Sequence, residues 1–162
     1  MIQARTIHAE VIVPAGIEAV WEAWTSSKEA GAFFAPVCNI ELRVNGAYEM
    51  LFDLEAAPGD RGGEGMKILA FQPPTMLSFT WNAPPTLPSV RGQMTHVTVR
   101  LTALSDAETQ VTLTHDGWGN GGEWEQAFDY FSRAWSKVVL PRLRYRFAVG
   151  PVDWQNLPQL AA

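Results

Sequence analysis

His115 is the residue whose type and setting come nearest to chemistry. In the run Gln110-Val111-Thr112-Leu113-Thr114-His115-Asp116, alternation sends Val111, Leu113 and His115 to one side and Thr112, Thr114 and Asp116 to the other. An imidazole on an apolar face is either a polar handle and proton shuttle or a core histidine bonded to backbone or to Tyr48. Tyr48 begins a second alternating run, Tyr48, Met50, Phe52 and Leu54, and is the other inward group able to act as acid or base. Asp116 follows His115 but points to the opposite face, so a His-Asp pair between them would require a β-bulge.

Other constellations fail. His8, His96 and His115 lack metal-ligand spacing, and alternation puts the first two on a polar side, so no metal is expected. No Gly-x-Ser-x-Gly elbow offers a serine nucleophile. Gly59, Gly62, Gly63 and Gly65 connect two strands instead of opening a helix, which reads as a flexible hairpin loop and not a phosphate cradle. No cofactor is expected. Glu10, Glu49, Asp53 and Glu64 should face water. The lone Cys38 forms no intramolecular disulfide, and a reducing, cytoplasmic setting fits it.

The 162 residues suit one domain, and 47% hydrophobic against 18% charged residues disfavours disorder. Twelve Lys and Arg against seventeen Asp and Glu give a net charge of −5, and no basic cluster offers a footprint for nucleic acid. No apolar stretch approaches the roughly 18 residues of a membrane span, and Met1 to Arg5 carries no apolar h-region, so no secretory leader is expected. Seven Trp, eight Phe and three Tyr are a large aromatic load for so short a chain.

The elements that would position these groups follow from period. Ile7, Ala9, Val11 and Val13 alternate as a strand closed by Pro14 and Gly16. Ile17, Val20, Trp21 and Trp24 mark a short helix, and a helical turn over Ser27–Ala32, capped by Ser27, leads to Phe33-Phe34. Cys38, Ile40, Leu42 and Val44 share a strand face, and Asn45-Gly46 predicts a type I′ turn into the Tyr48 strand. Strands near Glu64–Gln72 and Leu77–Trp81 precede a loop, Ala83–Pro88, whose prolines cannot feed a ladder. Two long strands carry Val97, Val99 and Leu101, then Val111, Leu113 and His115. Their opposite faces are rich in Thr, as in an antiparallel sheet solvated on one side. Asn120 and Glu123 have capping-box spacing, and Trp124, Phe128, Phe131, Trp135 and Val138 form one helical stripe in which Pro141 predicts a kink.

The order is strand, two short helices, six antiparallel strands and a long C-terminal helix. It resembles the helix-grip fold of the START-like, or SRPBCC, superfamily. Val13-Pro14-Ala15, Ala19–Thr25, Val44–Tyr48, Gly65–Pro73 with Leu77–Trp81, and Thr109–Trp118 together resemble the family related to the C-terminal domain of the activator of heat-shock protein 90 ATPase. The likeness spans roughly residues 5–148, with Asn45-Gly46 and Phe33-Phe34 standing where relatives usually have two glycines and Trp-Phe.

The resemblance implies an α+β domain over residues 1–149, in which a curved antiparallel sheet of about seven strands wraps the last helix, with an irregular tail over 150–162. It also implies an interior cavity for a small apolar or aromatic molecule. Tyr48, Met50, Phe52, Phe79, Trp81, Val97, Val99, Leu113 and His115 would line it from the sheet, and Trp124, Phe128, Phe131 and Trp135 from the helix. Its mouth should lie between Pro84–Pro88, Gly117–Gly122 and Phe33-Phe34. A packed core is the alternative use of these aromatics. Two further functions go with the resemblance: a cyclase- or hydratase-like enzyme using His115 and Tyr48, and an interaction module contacting the chaperone. Trp154, Leu157 and Leu160, apolar and unassigned, allow a homodimer.

Overall fold

The computed structural model describes residues 5–160. Strand β1 (Ile7–Val13) leads through α1 (Ile17–Thr25) and α2 (Ser27–Ala30) to β2 (Val37–Ile40) and β3 (Tyr48–Leu51). Next come β4 (Ile68–Gln72), β5 (Met76–Trp81), the short α3 (Pro88–Arg91), β6 (Thr95–Ser105) and β7 (Glu108–Asp116). The C-terminal helix comprises α4 (Glu123–Arg133), a π-helical turn over Ala134–Val139, and α5 (Leu140–Ala148). It is the α+β, helix-grip arrangement.

Five strands pair antiparallel in the order β1-β7-β6-β5-β4, and β2 pairs with β3. The β3 edge is stitched to the segment before β4, where Tyr48 N–H donates to Met66 O at 2.8 Å and Gly63 N–H to Met50 O at 2.8 Å. The seven strands therefore form one curved surface. Alternation fixes its inner face: Thr95, Val97, Val99 and Leu101 of β6 and Thr109, Val111, Leu113 and His115 of β7 are buried. Register sets His115 opposite Val97 on one side and Ile7 on the other.

Turn and cap details depart from expectation. The chain leaves β2 at Ile40 and turns through Glu41–Ala47, so Leu42 and Val44 are exposed and not strand residues. Asn45 alone adopts a left-handed φ, of 64°. Gly46 is required for closeness instead, because a Cβ there would lie 2.0 Å from Glu41 O. The cap of α2 is Ser26, whose Oγ accepts from Glu29 N–H; Ser27 Oγ accepts from Ile40 N–H at 2.8 Å and ties helix to strand. Gly122, not Asn120, caps α4, and Glu123 accepts from Ser89 N–H of α3.

Proline explains the wide turn in the last helix. Pro141 has no N–H to give the carbonyl one turn back and its ring crowds that carbonyl. The preceding turn opens, with Leu140 N–H bonding Trp135 O five residues back. The tail runs back over the start of the domain: Val152 N–H bonds Ala32 O at 2.8 Å and Trp154 Nε1–H bonds Gly31 O at 2.7 Å. Leu157 stays exposed. No helix among the described residues is long and apolar enough to cross a membrane.

Candidate functional site

Between the C-terminal helix and the loops at one end of the sheet lies an open cleft of about 690 Å³. Its floor is four buried rings, Phe34, Trp81, Phe131 and Trp135. Trp81 and Trp135 centroids are 5.7 Å apart, Phe34 lies 5.7 Å from Trp81 and 5.9 Å from Trp135, and Phe131 stacks on Trp135 at 6.1 Å. Each ring comes from a different local constraint. Trp81 ends β5, Phe34 follows the α2 turn, and Phe131 and Trp135 lie one turn apart where the helix passes into its π segment. That segment supplies one wall through Ala134, Lys137, Val138 and Val139.

The opposite wall is the Gly-rich loop, held in place from several sides. Gly59 and Arg61 N–H donate to Glu64 at 2.6 and 2.7 Å, and Asn82 Nδ2 donates to Gly62 O at 3.1 Å. The Arg91 guanidinium donates to Gly59 O and Gly62 O, both within 2.8 Å through Nη2, and also to Ala83 O, linking this loop to the Pro-rich one. Gly62 has φ 149°, and a Cβ there would sit 2.3 Å from Met50 O; one on Gly63 would press the Trp81 ring at 3.1 Å. The loop is thus a fixed wall and not the flexible hairpin expected. Glu64, expected simply to face water, is one of its anchors, and Glu49 likewise accepts from Gly65 N–H.

Beneath the floor runs a buried polar chain. Trp135 Nε1–H donates to His115 Nδ1 at 3.0 Å. An indole nitrogen only donates, so Nδ1 is the acceptor and the proton resides on Nε2. That proton goes to Thr95 Oγ1, 2.6 Å away, and the Thr95 hydroxyl donates to Trp81 O at 3.2 Å. Burial pushes the imidazole down to about 3, aided by nearby His96, so the ring is neutral. The chain fastens both floor tryptophans, Trp135 by its side chain and Trp81 by its backbone. His115 is a positioning residue with both nitrogens engaged.

Tyr48 is engaged too. Its hydroxyl donates to Trp24 O at 2.8 Å, its ring stacks on Phe79 with centroids 4.1 Å apart, and burial raises its pKa well above 10. Cys38 is equally inert: its thiol is pushed up to about 12 by burial and donates to Ala35 O. Asp116 accepts from or pairs with His96 at 2.9 Å on the outer face, across the strands and away from His115. Among the described residues no three His, Cys, Asp or Glu side chains group in a way that could hold a metal ion.

Of the thirteen residues expected to line the interior, Phe52, Trp81, Phe131 and Trp135 border the cleft. Phe52 does so from the rim, 43% exposed, because β3 ends at Leu51. Tyr48, Met50, Phe79, Val97, Val99, Leu113 and His115 are packed beneath. Trp124 sits in a separate cluster with Leu87 and Val90, and Phe128 is covered by the Arg5 guanidinium at 4.4 Å. Of the elements expected at the mouth, Pro84-Pro85 borders the cleft, Phe34 lies on its buried floor and Gly117–Gly122 takes no part, while Asp60–Gly63 forms the remaining side. Phe34 was expected at the mouth and not on the floor, and the rim cations Arg61, Arg91, Arg133, Lys137 and Arg142 were not expected at the site. Only the Arg133, Lys137 pair had a local signal, at helical spacing beside the aromatic stripe.

The family model described as "Activator of Hsp90 ATPase homolog 1-like protein" matches residues 14–145. The chain belongs to that family. Similar solved structures place this AHSA1-like chain among proteins of the same fold. The Aha1 dimer of Colwellia psychrerythraea is 18% identical, with a TM-score of 0.68 over 90% of this chain and 98% of that one. Bacillus halodurans protein BH1534 is 23% identical, with a TM-score of 0.66 over 91% and 99%. PFC0360w, an HSP90 activator from Plasmodium falciparum, is 13% identical, with a TM-score of 0.62 over 90% and 96%. At these identities the likeness is one of fold. No curated protein matches the chain.

Proposed function

We propose that this AHSA1-like chain is a binding module that takes a small apolar or aromatic molecule into the cleft between its C-terminal helix and the loops around Gly62 and Pro84. The observation that carries the reading is the cleft itself. It has a floor of four aromatic rings and a volume of about 690 Å³, within the range of roughly 300–1,000 Å³ common for small-molecule sites. The floor is pre-formed, since its rings are held by the His115 chain and by one another, so binding would cost little ordering. An enzymatic reading through His115 and Tyr48 draws no support, because their polar atoms are engaged away from the cleft.

The test is fluorescence titration with N-phenylnaphthylamine, a neutral aromatic probe. Saturable binding of one probe per chain is the expected result; a signal that rises without saturation, or none, would overturn the reading. A second reading, contact with the chaperone, rests on family membership and on exposed Val37, Leu42, Val44 and Leu54 around β2 and β3. An Hsp90 ATPase rate unchanged by stoichiometric chain would count against it.

A further inference from the structure

The charge around the cleft is opposite to that of the protein. The chain carries twelve Lys and Arg against seventeen Asp and Glu, yet the cleft is bordered by five cations, Arg61, Arg91, Arg133, Lys137 and Arg142, and by only two carboxylates, Asp53 and Asp60. A net +3 boundary on a −5 protein raises the local concentration of anions at that site and lowers it elsewhere.

The five cations are not equivalent. The Arg91 fork is occupied by the Gly59, Gly62 and Ala83 carbonyls, and Arg61 Nε donates to Ala56 O. Their charge remains but their donors serve the wall. Arg133 and Lys137, four residues apart on the helical wall, have no hydrogen-bond or ion-pair acceptor among the described residues, and both are exposed. Arg142, further along that wall, packs its guanidinium over Trp154 at 5.3 Å, and its buried Nε has no acceptor among the described residues. Burial lowers its pKa. Cations without a hydrogen-bond or ion-pair acceptor among the described residues thus follow the helix edge of the cleft that the four rings floor.

Resting on the cleft reading, and narrowing it, we infer that the ligand class is an aromatic anion: a flat ring system laid on the Phe34, Trp81, Phe131 and Trp135 floor, carrying a carboxylate, sulfonate or ionised phenol toward Arg133, Lys137 and Arg142. The rings select planarity, because stacked and edge-on contacts with Trp and Phe favour an aromatic partner over an aliphatic chain of equal area. The cations select the charge, since a charge-assisted hydrogen bond from Arg or Lys at a partly desolvated site is the stronger kind.

Two probes that share one ring system separate this inference from the reading beneath it: neutral N-phenylnaphthylamine and anionic anilinonaphthalene sulfonate. The sulfonate is expected to bind the natural chain about tenfold more tightly than the neutral probe at low salt, and to lose that margin as NaCl is raised. In the Arg133→Gln, Lys137→Gln double variant the ratio of the two affinities should fall by about tenfold. Each substitution is at an exposed position, so thermal unfolding should stay cooperative. Equal affinities in the natural chain, or a ratio that the double variant leaves unchanged, would overturn the inference while leaving the neutral-ligand reading standing. Binding of neither probe would overturn both.

Discussion

Replacing His115 by alanine is expected to lower the folding free energy by about 4 kcal/mol, read as a shift of the urea midpoint. Two losses combine. Truncation leaves a cavity between β7 and the helix, where the imidazole is 0% exposed. It also strips the acceptor from Trp135 Nε1–H and the donor from Thr95 Oγ1, leaving buried polar atoms unpaired. His115→Gln, whose amide can both accept and donate, should recover about half of that loss. A cost for the alanine variant below about 1 kcal/mol would show that the chain is incidental.

The same residue sets an acid limit on stability. Above pH 6.5 the ring is neutral in both folded and unfolded chains and contributes no pH dependence. As pH falls from 6.5 toward about 3, the unfolded chain takes up a proton that the folded chain refuses. Within that window stability should drop by about 1.4 kcal/mol per pH unit from this group. His115→Gln removes that component of the slope, and the difference between the two proteins isolates it from the carboxylates. Ring signals of His115 that titrate between pH 8 and 5 in the folded protein would contradict the assignment.

The second large effect is on binding. Ala134 is a small residue on the π-helical wall of the cleft. Ala134→Trp places an indole where a ligand would lie, and the affinity for N-phenylnaphthylamine should fall at least about tenfold with unfolding still cooperative. Undiminished binding in this variant would place the probe elsewhere on the molecule.

Much of the fold was legible because the strands obey a period of two. Val97, Val99, Val111, Leu113 and His115 could be assigned inward from alternation alone, and the structure buries all five. The burial of His115 was legible, but its partners were not. Thr95 and Trp135 are each 20 residues away in sequence, and nothing local connects them. Asn45-Gly46 marked the β2–β3 hairpin correctly but not its turn, because the chain widens into a seven-residue connection held by Glu41 N–H to Ala47 O. The cleft was harder still. Its aromatic floor could be read from Trp81, Phe131 and Trp135, but its walls depend on where loops come to rest. Arg91 reaching Gly59, 32 residues away, is a tertiary contact with no periodic trace. Reading the glycines as flexible missed that two of them are needed for close approach to Met50 and Trp81.

On the proposed function, a bound molecule occupies the cleft over Trp81 and Trp135 and not the packed interior beneath it. This placement is tested most directly by following the tryptophan indole N–H signals in heteronuclear NMR spectra while N-phenylnaphthylamine is added. Saturable shifts of the Trp81 and Trp135 signals, with that of Trp21 unmoved, are the expected result. Saturation of the probe with Trp81 and Trp135 unmoved would contradict the placement.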